Sequence, residues 1–86
     1  MAVYLNTVKH PYIAADTLDE INRFARLLGL SIMWQKVTKD GLPYYSLSKE
    51  QAENAIKKGA LDAKEHYIAW EEMIHNWKQS RGQKAL

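Results

Sequence analysis

The chain has no cysteine, which excludes disulfides, thiolate chemistry and cysteine-ligated zinc. Proline occurs twice and glycine four times, at 29, 41, 59 and 82, so there is no glycine-rich phosphate loop and no proline-rich linker. No apolar run approaches a membrane span, and Met1 to Asn6 lacks the basic start and long apolar stretch of a signal peptide, so the expectation is a cytoplasmic protein without a membrane partner. Charge of one sign is also missing. Twelve Lys and Arg mix with ten Asp and Glu, and a net +2 is weak footing for a DNA-binding domain.

What the chain does have is aromatic bulk. Three tryptophans, five tyrosines and one phenylalanine serve 86 residues, enough for one domain (1–86) and no second core. A hydrophobic content of 47% against 26% charge places it among globular rather than disordered chains.

Ala2 to Asn6 reads as a strand with Val3 and Leu5 on one face and Tyr4 on the other. Residues 7–15 read as a loop, marked by His10-Pro11. Asp16 or Thr17 caps a helix in which Leu18, Ile21, Ala25 and Leu28 form an apolar stripe beside Phe24, and Gly29 stops it. Residues 31–37 then read as a strand and Pro43 to Leu47 as its antiparallel return, with Thr38-Lys39-Asp40-Gly41 as the turn. Ser48-Lys49-Glu50-Gln51 is a capping box for a helix that Gly59 ends. Asp62 is the expected cap of a long helix from Ala63 to Gln79, followed by a frayed tail over 81–86. The order is β-α-β-β-α-α. It predicts an α+β fold with a three-stranded mixed sheet, its first two strands parallel and one face under helices.

Several short motifs occur in one order: Ala-Val-Tyr-Leu-Asn at 2–6, Pro11-Tyr12, Ala15-Asp16-Thr17, Phe24-Ala25, Gly29-Leu30, Trp34-Gln35, Tyr44-Tyr45-Ser46 and Ala55 to Gly59-Ala60. Together they resemble the small bacterial and phage proteins grouped as domain of unknown function 4031, over roughly residues 1–61. The resemblance implies an α+β core and a phage or mobile-element context, with the host cytoplasm as location, and no established activity. The family pattern has acidic or histidine residues where this chain has Asn6, Asn22, Tyr44 and Ser46. A site without those groups has few agents for proton transfer, which shifts the expectation from enzyme to binding protein.

Other chemistry is thinly represented. Glu72 and His75 have the Glu-x-x-His spacing of carboxylate-bridged metal bundles, but the facing ligands are missing and no metal or cofactor is expected. No Gly-x-Ser-x-Gly elbow surrounds a serine. Lys57, Lys58, Lys64, Lys78, Arg81 and Lys84 interleave with aromatics as nucleic-acid binders do, yet Glu50, Glu53, Asp62, Glu65, Glu71 and Glu72 are spread through the same C-terminal part of the chain, so nucleic acid ranks below the other partners.

Two candidate sites remain. The first is a crevice formed by Asn6, Lys9, His10, Tyr12 and Asp16 with Tyr44 and Tyr45, expected to hold a small nucleotide-like or anionic ligand against the first helix's N-terminus. The second is the stripe of Tyr67, Trp70, Ile74 and Trp77, flanked by Met73. A helix of that length is about 25 Å long and exceeds what a small sheet needs, so its distal end is expected to project and pair with a second copy, most simply as a dimer. The primary expectation is therefore a non-catalytic, homo-oligomeric ligand-binding protein. The alternatives are a protein–protein module, such as an inhibitor of a host enzyme or defence protein, acting through the aromatic helix, and a nucleic-acid-binding accessory protein.

Overall fold

The computed structural model of the protein describes residues 2–84, with side chains through Gln79. Its elements are β1 (Val3–Asn6), β2 (Tyr12–Ala15), α1 (Leu18–Leu27), a 3-10 turn (Ile32–Trp34), β3 (Lys36–Val37), β4 (Pro43–Ser46), α2 (Lys49–Lys57), β5 (Leu61–Asp62) and α3 (Tyr67–Lys84).

The chain is α+β, as expected, but its mixed sheet has five strands in the order β3-β4-β2-β1-β5. Two strands escape the sequence reading. Tyr12–Ala15, expected to be loop, returns antiparallel to β1 with Leu5 opposite Ile13 and Asn6 opposite Tyr12. Leu61–Asp62, expected to lead directly into a helix, lies parallel to β1 and forms the far edge. The parallel crossover therefore joins β4 to β5 through α2, and the first two strands form a hairpin instead.

Strand alternation splits this sheet cleanly. Val3, Leu5, Ile13, Ala15 and Tyr45 face one side; Tyr4, Ala14, Tyr12 and Tyr44 face the other. The first side is covered by α1 and α2, whose Ile21, Ala25, Ala52 and Ala55 are buried against it. The alanines let the helix backbones approach the sheet closely, while each large buried side chain contributes roughly 1.5–3 kcal/mol. The second side, expected to be open, lies under α3, which buries Trp70 and Met73 there. The result is three layers rather than two.

Several local signals act as the sequence suggests. Ser48 and Gln51 form a reciprocal capping box at the start of α2. The β3–β4 turn closes through Gly41, whose φ of 86° an L side chain would adopt only under strain. Thr17, not Asp16, caps α1, its hydroxyl accepting from the Glu20 amide at 3.2 Å. Asp16 instead accepts from the Ala2 amide at 3.2 Å, fastening the open end of the β1–β2 hairpin.

Asp62 also has a different task. Its carboxylate accepts from the Lys64 amide at 2.9 Å and shapes a turn over 63–66, so α3 begins at Tyr67 rather than Ala63. α3 continues as helix to Lys84. Ala85 and Leu86, the end of the expected frayed tail, lie outside the described residues.

Residues 31–37 are the largest local departure from expectation. Ser31 accepts from the Met33 amide at 3.2 Å and opens the 3-10 turn, which leaves only Lys36 and Val37 in strand conformation. Three consecutive bulky apolar residues cannot all point to one face of a strand, and here none of the three is buried.

Candidate functional site

The seven residues of the expected ligand crevice separate into three groups. Asn6 ends β1, and its side-chain oxygen accepts from the Val8 amide at 3.0 Å, setting the β1–β2 connection that exposes Lys9 and His10. Tyr12 lies opposite Asn6 on the α3 side, with its ring centroid 5.4 Å from Tyr44, 5.9 Å from Trp70 and 6.3 Å from His10. Tyr4 joins the same layer, 6.0 Å from Trp70. The tyrosine and tryptophan contacts are edge-to-face packing geometry, and they make Tyr4, Tyr12 and Tyr44 a floor on which Trp70 of α3 rests.

Tyr45 does not join them. It is fully buried on the α1 side, where its hydroxyl donates to the Asn22 side-chain oxygen at 2.9 Å. The Gln35 amide donates to that same oxygen, so one acceptor serves two buried or half-buried donors. Asp16 is also remote, because the length of β2 separates it from Lys9 and His10, on the order of 13 Å of extended chain. The pairing of Lys9 with the α1 N-terminus is thereby corrected: the two lie at opposite ends of the hairpin. Thr17 and Glu20 already occupy the helix start.

A small pocket of about 170 Å³ opens between Asn6, Thr7 and Val8 on one wall and Lys64, Tyr67 and Trp70 on the other. Sites for drug-sized ligands begin near 300 Å³, so this one admits a group of a few atoms and not a nucleotide.

The aromatic stripe on α3 is similarly redirected. Trp70 and Met73 are buried against the sheet, Ile74 and Trp77 are partly buried beside them, and Tyr67 alone stands largely exposed. The indole of Trp77 donates to the Ala15 carbonyl at 2.7 Å. The distal end of the stripe therefore packs on the chain's own sheet instead of projecting. The expectation of a helix seam through Trp70, Met73, Ile74 and Trp77 is corrected by that packing.

Electrostatics follow the same division. Burial raises the Tyr12 hydroxyl's pKa, with Tyr44 adding to the effect, and burial followed by the charges of Asp16, Glu72 and Glu20 raises that of Tyr4. Tyr67 is raised first by a hydrogen bond to the Glu71 carboxylate. Glu72 and His75 are exposed on α3, with His75 3.1 Å from the Gln79 amide. Among the described residues no cluster of three or more His, Asp or Glu could hold a metal, and no helix is long and apolar enough to cross a membrane.

The surface that stands out is one the sequence reading assigned to a plain strand. Ile32, Met33, Trp34 and Val37 are 62, 87, 57 and 61% exposed, four large apolar side chains within six residues. They flank β3, the terminal strand of the sheet. The available signal was the run Ile-Met-Trp itself, which lacks the alternation of a half-buried strand.

No family model, curated protein or solved structure matches the chain. The likeness to domain of unknown function 4031 rests on the sequence motifs alone.

Proposed function

We propose that this chain is a non-catalytic protein-binding module that docks through the Ile32–Val37 segment. The observation that carries this reading is the exposure of Ile32, Met33, Trp34 and Val37 together at a sheet edge, in a molecule that covers both faces of its sheet. Clustered exposed apolar groups of this kind mark interaction sites, and tryptophan and methionine are enriched in the centres of interfaces. The segment contains no carboxylate, imidazole or thiol, so its side chains offer contact area rather than proton transfer or metal ligation.

This moves the protein–protein role from the aromatic helix, whose large residues are engaged in the core, to the β3 edge of the sheet. A small-ligand role has less support. The pocket beside Asn6 and Lys64 fits only a few atoms, and the residues expected to surround a nucleotide-like molecule do not converge.

The test is capture from an extract of the source cells by the immobilised full chain and its variants. Trp34→Ala and Met33→Ala should each reduce the retained partner by about tenfold or more, as interface anchors do, whereas Tyr67→Ala should leave it unchanged. Equal retention by all four proteins would overturn the assignment.

A further inference from the structure

We propose that Met33 is a redox modification site: hydroperoxides convert its thioether to the sulfoxide, and the change disables the apolar surface around it. The consequence for docking rests on the role proposed above; the modification itself does not.

Exposure singles out this sulfur. Met33 is 87% exposed, the highest value among the large apolar side chains described, whereas Met73 is buried between α3 and the sheet. The chain has no cysteine, so no thiol competes with the thioethers for an oxidant. Met1, the third methionine, lies outside the described residues. A peroxide meets Met33 in the folded protein, but it reaches Met73 only when the structure opens locally.

The turn explains why so large an apolar group stands in solvent and why it can change there. The Met33 amide donates to the Ser31 hydroxyl, the Trp34 amide to the Ser31 carbonyl and the Gln35 amide to the Ile32 carbonyl. All three bonds use backbone donors, and none uses the Met33 side chain. Oxidation of the sulfur therefore leaves the turn and the core intact.

In the reaction a sulfur lone pair attacks the hydroxyl oxygen of the hydroperoxide. The O–O bond breaks as the S–O bond forms, and the transferred oxygen's proton passes to the departing oxygen. That oxygen leaves as water, or as an alcohol when the oxidant is an organic hydroperoxide. Sulfur gives up two electrons and the peroxide takes them. The product carries a polar acceptor where a flexible apolar chain stood, and sulfoxide reductases can reverse it. In the free protein this acceptor stays in water. Within an apolar contact it must be desolvated without a donor, which weakens the contact by about tenfold or more.

The test treats the full chain with hydrogen peroxide under native conditions and follows each methionine by peptide mass mapping. Met33 should gain one oxygen at least about tenfold faster than Met73, with the urea midpoint unchanged. After peroxide is removed, the oxidised chain should elute earlier from a phenyl resin and retain about tenfold less partner from the extract. Methionine sulfoxide reductase should restore both. Met33→Leu, whatever its own starting retention, should show no response to peroxide in either assay. Equal oxidation of Met33 and Met73 overturns the site, as does oxidation of Trp34 ahead of Met33. So does a peroxide response that persists in Met33→Leu. Undiminished Trp34-dependent capture by the Met33-oxidised chain overturns the effect on docking and leaves the docking surface standing. Capture that does not depend on Trp34 in the untreated chain overturns the docking role, and mapping with phenyl retention then decides the modification alone.

Discussion

The Trp77 indole donates to the Ala15 carbonyl across 62 residues of sequence, and a proline explains why that carbonyl is available. The Leu47 amide donates to the Pro11 carbonyl, and Ile13 pairs with Tyr45, so the β2–β4 ladder bonds at alternate positions. Continuing that register sets Ala15 opposite Pro43, which has no N–H to give. Ala15 is buried, so its oxygen would otherwise be an unpaired acceptor. α3 supplies the missing donor and is thereby positioned on the sheet.

Trp77→Phe should therefore cost about 1–2 kcal/mol, more than the small loss of ring area implies, because it leaves a buried acceptor unmade. In a Pro43→Ala background the restored amide can serve Ala15, and the cost of Trp77→Phe should shrink. Urea denaturation of the four proteins measures this coupling, and equal costs in both backgrounds would contradict the account. Solution mass should be the same for wild type and Trp77→Phe, since the indole is engaged within one chain.

Asn22 carries a second shared acceptor. Its oxygen receives both the Tyr45 hydroxyl and the Gln35 amide, linking α1, β4 and the segment leading into β3. Asn22→Ala should destabilise the protein by about 1–3 kcal/mol, because it removes the acceptor of a fully buried tyrosine's hydroxyl proton and leaves that hydroxyl only the 3.3 Å bond it accepts from the Gln35 amide. Tyr45→Phe should cost about 1 kcal/mol and absorb much of the effect of Asn22→Ala in the double variant. Additive losses would show that the two groups do not share their hydrogen bond.

How much of this was legible depends on the range of the interaction. The Ser48–Gln51 box, the positive φ at Gly29, Gly41 and Gly59, and the two faces of β1 follow from residues a few positions apart, and sequence spacing reports them. β2 was hidden because Tyr12-Ile13-Ala14-Ala15 puts only small alanines at its C-terminal end, directly after a proline that reads as loop. β5 is two residues long, too short for any period. The residues of the expected ligand crevice are dispersed for a topological reason. With residues 7–15 read as loop, Asp16 and Lys9 seemed neighbours; once β2 runs between them, they sit at opposite ends of a hairpin. The exposed Ile32–Val37 segment was missed because Ser31 opens a 3-10 turn over Ile32, Met33 and Trp34 where a half-buried strand was read.

The three-layer architecture also predicts that residues 1–66 do not form an independent unit, although the family resemblance spans roughly 1–61. Removing α3 uncovers Tyr4, Tyr12, Ala14, Leu42 and Tyr44 on one face of the sheet. A chain ending at His66 should lose the cooperative urea transition and expose apolar surface to a hydrophobic dye. A sharp transition with native-like near-ultraviolet dichroism in that shortened chain would show instead that α1 and α2 suffice.

The final prediction concerns alkaline pH. Tyr4 and Tyr12 both have pKa values raised above the ordinary 10.0, with burial as the leading cause. The folded state therefore holds these protons more tightly than the unfolded chain. Their contribution to stability is fully present below about pH 10 and is lost as pH climbs from there through the folded-state values. Tyr67 is raised as well, but it is exposed and its bond to Glu71 carries little of the fold. Urea midpoints should thus stay level through neutral pH and fall above pH 10, with phenolate absorbance lagging behind that of the unfolded chain. Tyr12→Phe removes one of the two groups, so its alkaline decline should be shallower than that of the wild type. A decline of equal steepness would show that Tyr12 ionises as readily in the folded protein as in the unfolded one.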